Sequence, residues 1–391
     1  MKKALLVFSI LLTLLFFGCE NSINSKKTDI PDTQEPDDFE TQTDNDSDTP
    51  ETADDTDTQE IPDEELPDTN DGENQETPDD TETDNEPLPC NENDDPVFCY
   101  GKYYVNTIDV FPGDNGASRQ FRIFEPINAQ GNIPVIHFLH GYQLKCDYYD
   151  GILMHLASHG FIVVSSQSNH ATDITHPNNS TSATEAANVA EFITWLKTNL
   201  SNYVSVTPDF DNFGVSGHNR GGKTTNRLLN SDPALAKSFF GVDPTDVDVD
   251  IATLEDPSSL NDPVLFTGNS MFLGVEKRKS LVELSRAESL CAFEDDDSGK
   301  FYAAYPSPSR HIVAAGVGRT DMLDLGECGS TCTLSCSSSG DDGMNAMFIT
   351  YTAGLMTAFF NSTLKGQTEY ETLLNDPKDA YPFTTTLVEH K

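Results

Sequence analysis

Three short stretches of this chain concentrate the residue types that do chemistry. The first is His137-Phe138-Leu139-His140-Gly141-Tyr142, where a glycine after an apolar run makes a tight turn able to aim backbone N–H groups outward. The second is Gly217-His218-Asn219-Arg220-Gly221-Gly222-Lys223-Thr224, and the third is Gly318-Arg319-Thr320-Asp321-Met322-Leu323-Asp324. Histidines and carboxylates are the usual proton-transfer groups, and outward-facing N–H pairs hold developing oxyanions. Acyl-transfer chemistry is therefore the class to test. A metal reading is weaker. Asp44, Asp46 and Asp48 resemble the opening of a calcium loop, but Thr49 stands where glycine is needed, Pro50 follows, and Asp55 replaces the bidentate glutamate.

These stretches need a scaffold, and the pattern around them supplies one. Strands are expected at Lys102–Phe111, Gln120–Glu125, Pro134–Leu139, Phe161–Ser165, Asn212–Ser216, Ser238–Val242, Pro263–Thr267 and His311–Ala315. Helices are expected over Tyr148–Ser158, from Arg220, and over Met344–Leu364. The clearest helix opens on a capping box, Ser182-x-x-Glu185, and repeats Ala186, Val189, Ile193, Leu196 and Leu200 at helical spacing. Alternating strands and helices predict an α/β fold, a mostly parallel central sheet with helices on both faces. Chemistry in such sheets gathers at the carboxyl ends of the strands, and each of the three stretches follows an expected strand.

The stretches LHGY, HLASHGFIVV, GHNRGGKT, GVDPTD and TDMLD, in that order, resemble the chlorophyllase branch of the α/β-hydrolase fold, near the bacterial polyester and lipase-type esterases. The resemblance spans roughly residues 100–365. It implies a carboxylic-ester hydrolase with a Gly-x-Ser-x-Gly elbow, a histidine base and an orienting carboxylate. Carried over, the nucleophile position is Asn219, the acid position is Asp243 and the base position is Arg319. The oxyanion donors would be the backbone N–H groups of Tyr142 and Arg220.

Two of the three triad members are thus of the wrong type. An amide is a very poor nucleophile, and a guanidinium with a pKa above about 12 keeps its proton. Replacements are poor. Ser216 is a strand residue three positions before the apex, His218 and His140 shape turns, and His137 lies in a strand. The resemblance with these substitutions implies impaired hydrolysis, with Arg319 paired to Asp243. Two further classes stay open, an active ester hydrolase with a rearranged nucleophile and a surface ligand-binding or interaction module that uses the acidic tether and the cysteine-rich C-terminal loop; an ester or carboxylate small molecule is the ligand Arg319, Asn219 and the N–H pair would take. No cofactor or metal is implied.

The amino terminus reads as an address. Lys2 and Lys3 precede an apolar run from Ala4 to Phe17, shorter than the roughly 20 residues a spanning helix needs. Phe16-Phe17-Gly18-Cys19 resembles the lipobox of bacterial lipoproteins, which implies a signal peptide over 1–18, a lipidated Cys19, and a membrane of the bacterial cell envelope as partner. Residues 20–89 hold 27 acidic residues against Lys26 and Lys27, with almost nothing to bury. Such a segment is expected to be a disordered tether, leaving 90–391 as the folded domain. The formal charge of −42 excludes nucleic acid. Export favours disulfides over zinc for Cys328-x3-Cys332-x3-Cys336. With Cys19 acylated, seven cysteines remain, so one thiol is left over.

Overall fold

The computed structural model describes residues 95–142, 144–168, 180–246, 249–251, 254–277, 297–324, 327, 338–377 and 383–391. The strands are β1 (Val105–Val110), β2 (Phe121–Pro126), β3 (Asn132–Leu139), β4 (Ile162–Ser166), β5 (Thr207–His218), β6 (Ser238–Val242), β7 (Val249–Ile251), β8 (Leu254–Asp256), β9 (Asn269–Lys277), β10 (Ser309–Gly318) and β11 (Thr385–His390). The helices are α1 (Asp150–Ser158), α2 (Ser182–Asn199), α3 (Arg220–Ser231), α4 (Ser298–Ala304), α5 (Asp342–Lys365) and α6 (Glu371–Asn375).

Among the described residues nine strands form one sheet in the order β1-β2-β4-β3-β5-β6-β9-β10-β11, while β7 and β8 make a small antiparallel ribbon. The six from β4 to β10 run parallel, and β1, β2 and β11 join antiparallel at the margins. Neighbouring strand residues feed opposite cores, as the pleat requires. Phe240 and Leu273 pack with α1 and α5, whereas Phe239 and Phe272 pack with α2, α3 and α4. Both faces are covered, as expected of an α/β-hydrolase. Each fully buried phenylalanine or leucine contributes about 1.5–3 kcal/mol, so these two layers hold the sheet as a rigid platform.

Two local expectations are corrected. Pro263–Thr267 is not a strand; the ladder starts after Gly268, where Ser238 pairs with Asn269 and Val242 with Leu273. Leu265 is consequently more than half exposed, although Phe266 is buried. The capping box also shifts. Thr181 is the N-cap, accepting from the Thr184 N–H at 3.1 Å. Glu185 instead pairs with the buried Arg119 at 3.1 Å, and the Ser182 hydroxyl donates to Asp256 at 2.6 Å.

The chain leaves β3 for β4 on one side and returns through α2 to β5 on the other, so a topological switch lies between β3 and β5. Register then aligns their carboxyl ends. Leu139 faces Gly217, His218 faces Val242, and Val242 faces Leu273. The turns after β3, β5, β6 and β10 meet at this end.

Candidate functional site

Asn219 forms the apex of the turn from β5 into α3, with φ 53° and ψ −121°. Asparagine enters positive φ more readily than most residues. The flanking glycines are demanded by contact. A Cβ on Gly217 would lie 2.4 Å from the Gly221 carbonyl oxygen, and one on Gly221 would lie 2.3 Å from that of Leu139. This is the strained strand-to-helix elbow expected of the fold, but it presents an amide.

That amide is engaged on both ends. Its Oδ1 accepts from the Tyr142 N–H at 3.0 Å, and its Nδ2 donates to Thr245 Oγ1 at 2.9 Å. The residue is 2% exposed. One of the two expected oxyanion donors is thus already bound to a carbonyl oxygen of the chain itself. The other expected donor, Arg220, follows at the first turn of α3. Its side chain pairs with Asp256 at 3.1 Å, donates to the Ser180 carbonyl at 2.6 Å, and lies over the Tyr142 ring at 5.8 Å.

Asp243 ends β6 at φ 39°, anchored by its N–H to the Leu273 carbonyl at 2.6 Å. Arg319 arrives from the end of β10 and donates Nε to Asp243 Oδ2 at 2.6 Å, with side-chain exposures of 4% and 0%. The structure therefore brings all three triad positions to one place, with the guanidinium where a histidine would be oriented by the same carboxylate. Asp243 Oδ1 is buried and meets no hydrogen-bond partner among the described residues.

The comparisons agree with this geometry. The family model for chlorophyllase matches residues 93–391. Chlorophyllase-2 of Arabidopsis thaliana is 28% identical over 267 residues, covering 63% of this chain and 78% of that protein. Chlorophyllase-1 of the same plant is 28% identical, covering 72% and 88%, and chlorophyllase type 0 of Chenopodium album is 29% identical, covering 71% and 82%. The chain belongs to the chlorophyllase family.

Within this chlorophyllase-family chain the other motif residues are structural. The Tyr149 hydroxyl accepts from the Gly141 N–H at 3.0 Å and donates to His218 Nδ1 at 2.7 Å, leaving the His218 proton on Nε2, buried without a partner. Burial, then the Arg319 charge and His140, hold His218 well below the ordinary histidine pKa. It stays neutral with its acceptor nitrogen already used. His140 accepts from the Ser168 N–H at 2.8 Å on Nε2 and donates from Nδ1 to the Gly141 carbonyl at 2.7 Å; burial lowers its pKa to about 4. His137 contacts Ser166 Oγ at 2.8 Å, and Ser216 donates to the Phe240 carbonyl at 2.7 Å inside the sheet. Asp324 caps α1 by accepting from the Asp150 and Gly151 N–H groups at 2.6 and 2.9 Å. Asp321 accepts from the Gly318 and Ser339 N–H groups at 2.8 and 2.6 Å. Asp246 is held by Ser259, Ser258, the Leu260 N–H and Lys300. Burial alone would raise its pKa, but the Ser258 and Ser259 hydrogen bonds outweigh that and lower it.

Two constellations escaped sequence reasoning. Asp256 gathers Arg220, Lys223 and Arg227 at 3.1, 3.2 and 3.8 Å, and takes Ser182 from α2. The three- and four-residue spacing of those cations marked one helical face, but the carboxylate is 29 residues beyond Arg227. Ser298, His311 and Glu389 form a second relay, with Ser298 Oγ 3.0 Å from His311 Nε2 and His311 Nδ1 3.2 Å from Glu389. Ser298 is fully buried and His311 sits near the amino end of β10, away from the elbow. This relay ties α4 and β11 to β10. Among the described residues no cluster of three or more histidine, cysteine or acidic side chains could hold a metal ion. Cys146 is a buried free thiol, pushed up to about 12 by burial and then by Asp147. Cys19, the tether with Asp44, Asp46 and Asp48, and Cys90, Cys291, Cys328, Cys332 and Cys336 lie outside the described residues.

Proposed function

We propose that this chain is a hydrolytically silent member of the chlorophyllase family, held at a membrane through lipidated Cys19. One observation carries the reading. The Asn219 amide oxygen rests on the Tyr142 N–H at 3.0 Å, where an ester's developing oxyanion would need that donor. The Arg319–Asp243 pair supports it, since the carboxylate that would orient a base is bound instead to a cation that does not give up its proton. The fold retains the elbow and the acid of an ester hydrolase, while Asn219 at the nucleophile position is held by Tyr142 and Thr245 and Arg319 at the base position by Asp243. A rearranged nucleophile finds little support. Ser298, the serine of the other relay, is fully buried.

The test is hydrolysis of p-nitrophenyl butyrate by the wild type, Asn219→Ser, Arg319→His and the double variant. The wild type and both single variants are expected at the rate of a denatured control, because nucleophile and base act as a unit. The double variant is expected to turn over, since Asn219→Ser also frees the Tyr142 N–H. Wild-type turnover abolished by Asn219→Ala would overturn the reading.

A further inference from the structure

A cavity of about 990 Å³ opens at the end of the sheet opposite the elbow, bordered by the starts of β3 and β5 and by the last turn of α5. Its size is that of a small-molecule site. Two lysines line it, Lys102 and Lys365, and neither forms an ion pair with a carboxylate among the described residues. In a chain with 65 acidic residues against 23 basic ones, two such cations facing one cavity are unexpected. Among the described residues Lys365 reaches the His159 carbonyl at 2.8 Å and the face of the Phe161 ring at 3.7 Å. Lys102 lies 5.0 Å over the Tyr103 ring. Among the described residues the one carboxylate lining the cavity, Asp209, is spent on its own turn, accepting from the Asp211 and Asn212 N–H groups at 3.0 and 3.3 Å and from Asn212 Nδ2 at 2.7 Å. Asn361, on α5 one turn before Lys365, also lines the cavity. It is 3% exposed, and its side-chain amide meets no hydrogen-bond partner among the described residues.

We propose that this cavity binds a small organic anion, a carboxylate or phosphate carried on a flat ring. The anion sits between Lys102 and Lys365, the Asn361 amide donates to it, and the rings of Tyr100 and Tyr103 flank its body. Burial and then the Lys102 charge lower the Lys365 pKa to about 8, so the two cations repel and an anion between them relieves that repulsion. The site is independent of the elbow and does not rest on the reading given above.

Isothermal titration of the full chain with benzoate and with phenyl phosphate tests this, with benzyl alcohol as the neutral match. At least one anion is expected to bind at one site per chain, at least ten-fold more tightly than benzyl alcohol. Which anion binds tells carboxylate from phosphate. Lys102→Met, an exposed position that leaves packing intact, is expected to weaken binding at least ten-fold, as is Lys365→Met, while Asn219→Ser leaves it unchanged. The proposal is overturned if neither anion binds, if benzyl alcohol binds equally well, or if Lys102→Met leaves the affinity unaltered.

Discussion

Arg319→Ala isolates the question of what the substituted base position now does. Its guanidinium meets Asp243 at 2.6 Å, and both side chains are almost wholly removed from water. The other oxygen of Asp243 is buried without a partner among the described residues, so the carboxylate depends heavily on Arg319. Removing one member of a buried pair costs about 3–5 kcal/mol, because a charge is stranded. Against a typical stability of about 5–15 kcal/mol, that is a large share. Removing both charges, as in Asp243→Asn with Arg319→Ala, should cost far less, since the attraction and the desolvation penalty vanish together. Equilibrium urea unfolding of the wild type, the two single variants and the double variant forms a closed cycle. The expected result is a fall of several kcal/mol for Arg319→Ala and a double variant markedly more stable than that. If Arg319→Ala loses less than about 1 kcal/mol, the range of solvent-exposed pairs, the pair does not hold the cleft together and the structural argument fails.

Three further outcomes follow from the same residues. His137, His140 and His155 are lowered by burial to about 3, 4 and 3, so they stay neutral in the fold while the unfolded chain takes up protons below about pH 6.5. Their stabilisation is complete above that pH and is lost as pH falls, by up to about 4 kcal/mol per pH unit near pH 5, partly offset by Asp150, which burial holds up at about 6; urea midpoints unchanged between pH 7.5 and pH 5 would refute this. Gly221→Ala places a Cβ 2.3 Å from the Leu139 carbonyl oxygen and should cost about 1–3 kcal/mol or more by forcing backbone apart, read as a lower melting temperature. Cys19→Ala should abolish incorporation of labelled palmitate, and label that persists in the variant would remove the anchor from the proposed function.

Much of the scaffold was legible because its signals are periodic or short-range. The helical repeat of Ala186, Val189, Ile193 and Leu196 has its origin in one buried face, and all four residues are buried. The apolar run before His140 is a central strand covered on both sides. Where two extended runs compete, local composition does not decide. Pro263–Thr267 and Asn269–Lys277 are both apolar enough for a strand, and only the ladder with β6 selects the second. Thr181 and Ser182 are both good caps, and the choice falls to Thr181 because Asp256, 74 residues away, takes the Ser182 hydroxyl.

The site divides the same way. Its positions are set by the turns at the ends of β5, β6 and β10, and small residues at Gly217 and Gly221 betray the elbow whatever stands between them. What those positions do to one another is a matter of ångströms that no spacing encodes. Serine at the apex has no carbonyl oxygen to offer the Tyr142 N–H. The asparagine carboxamide is longer, with an acceptor and a donor at opposite corners, and it bridges the Tyr142 N–H to Thr245 Oγ1 across the elbow. Arginine at 319 likewise keeps the donor that a histidine would offer to Asp243, while removing the basic nitrogen that catalysis needs. Arg319 preserves the hydrogen-bonding role of its position, Asn219 adds a bridge that serine would not make, and both remove reactivity. A cleft altered in this paired way can keep its fold without its chemistry, and so the double variant should recover activity that neither single variant shows.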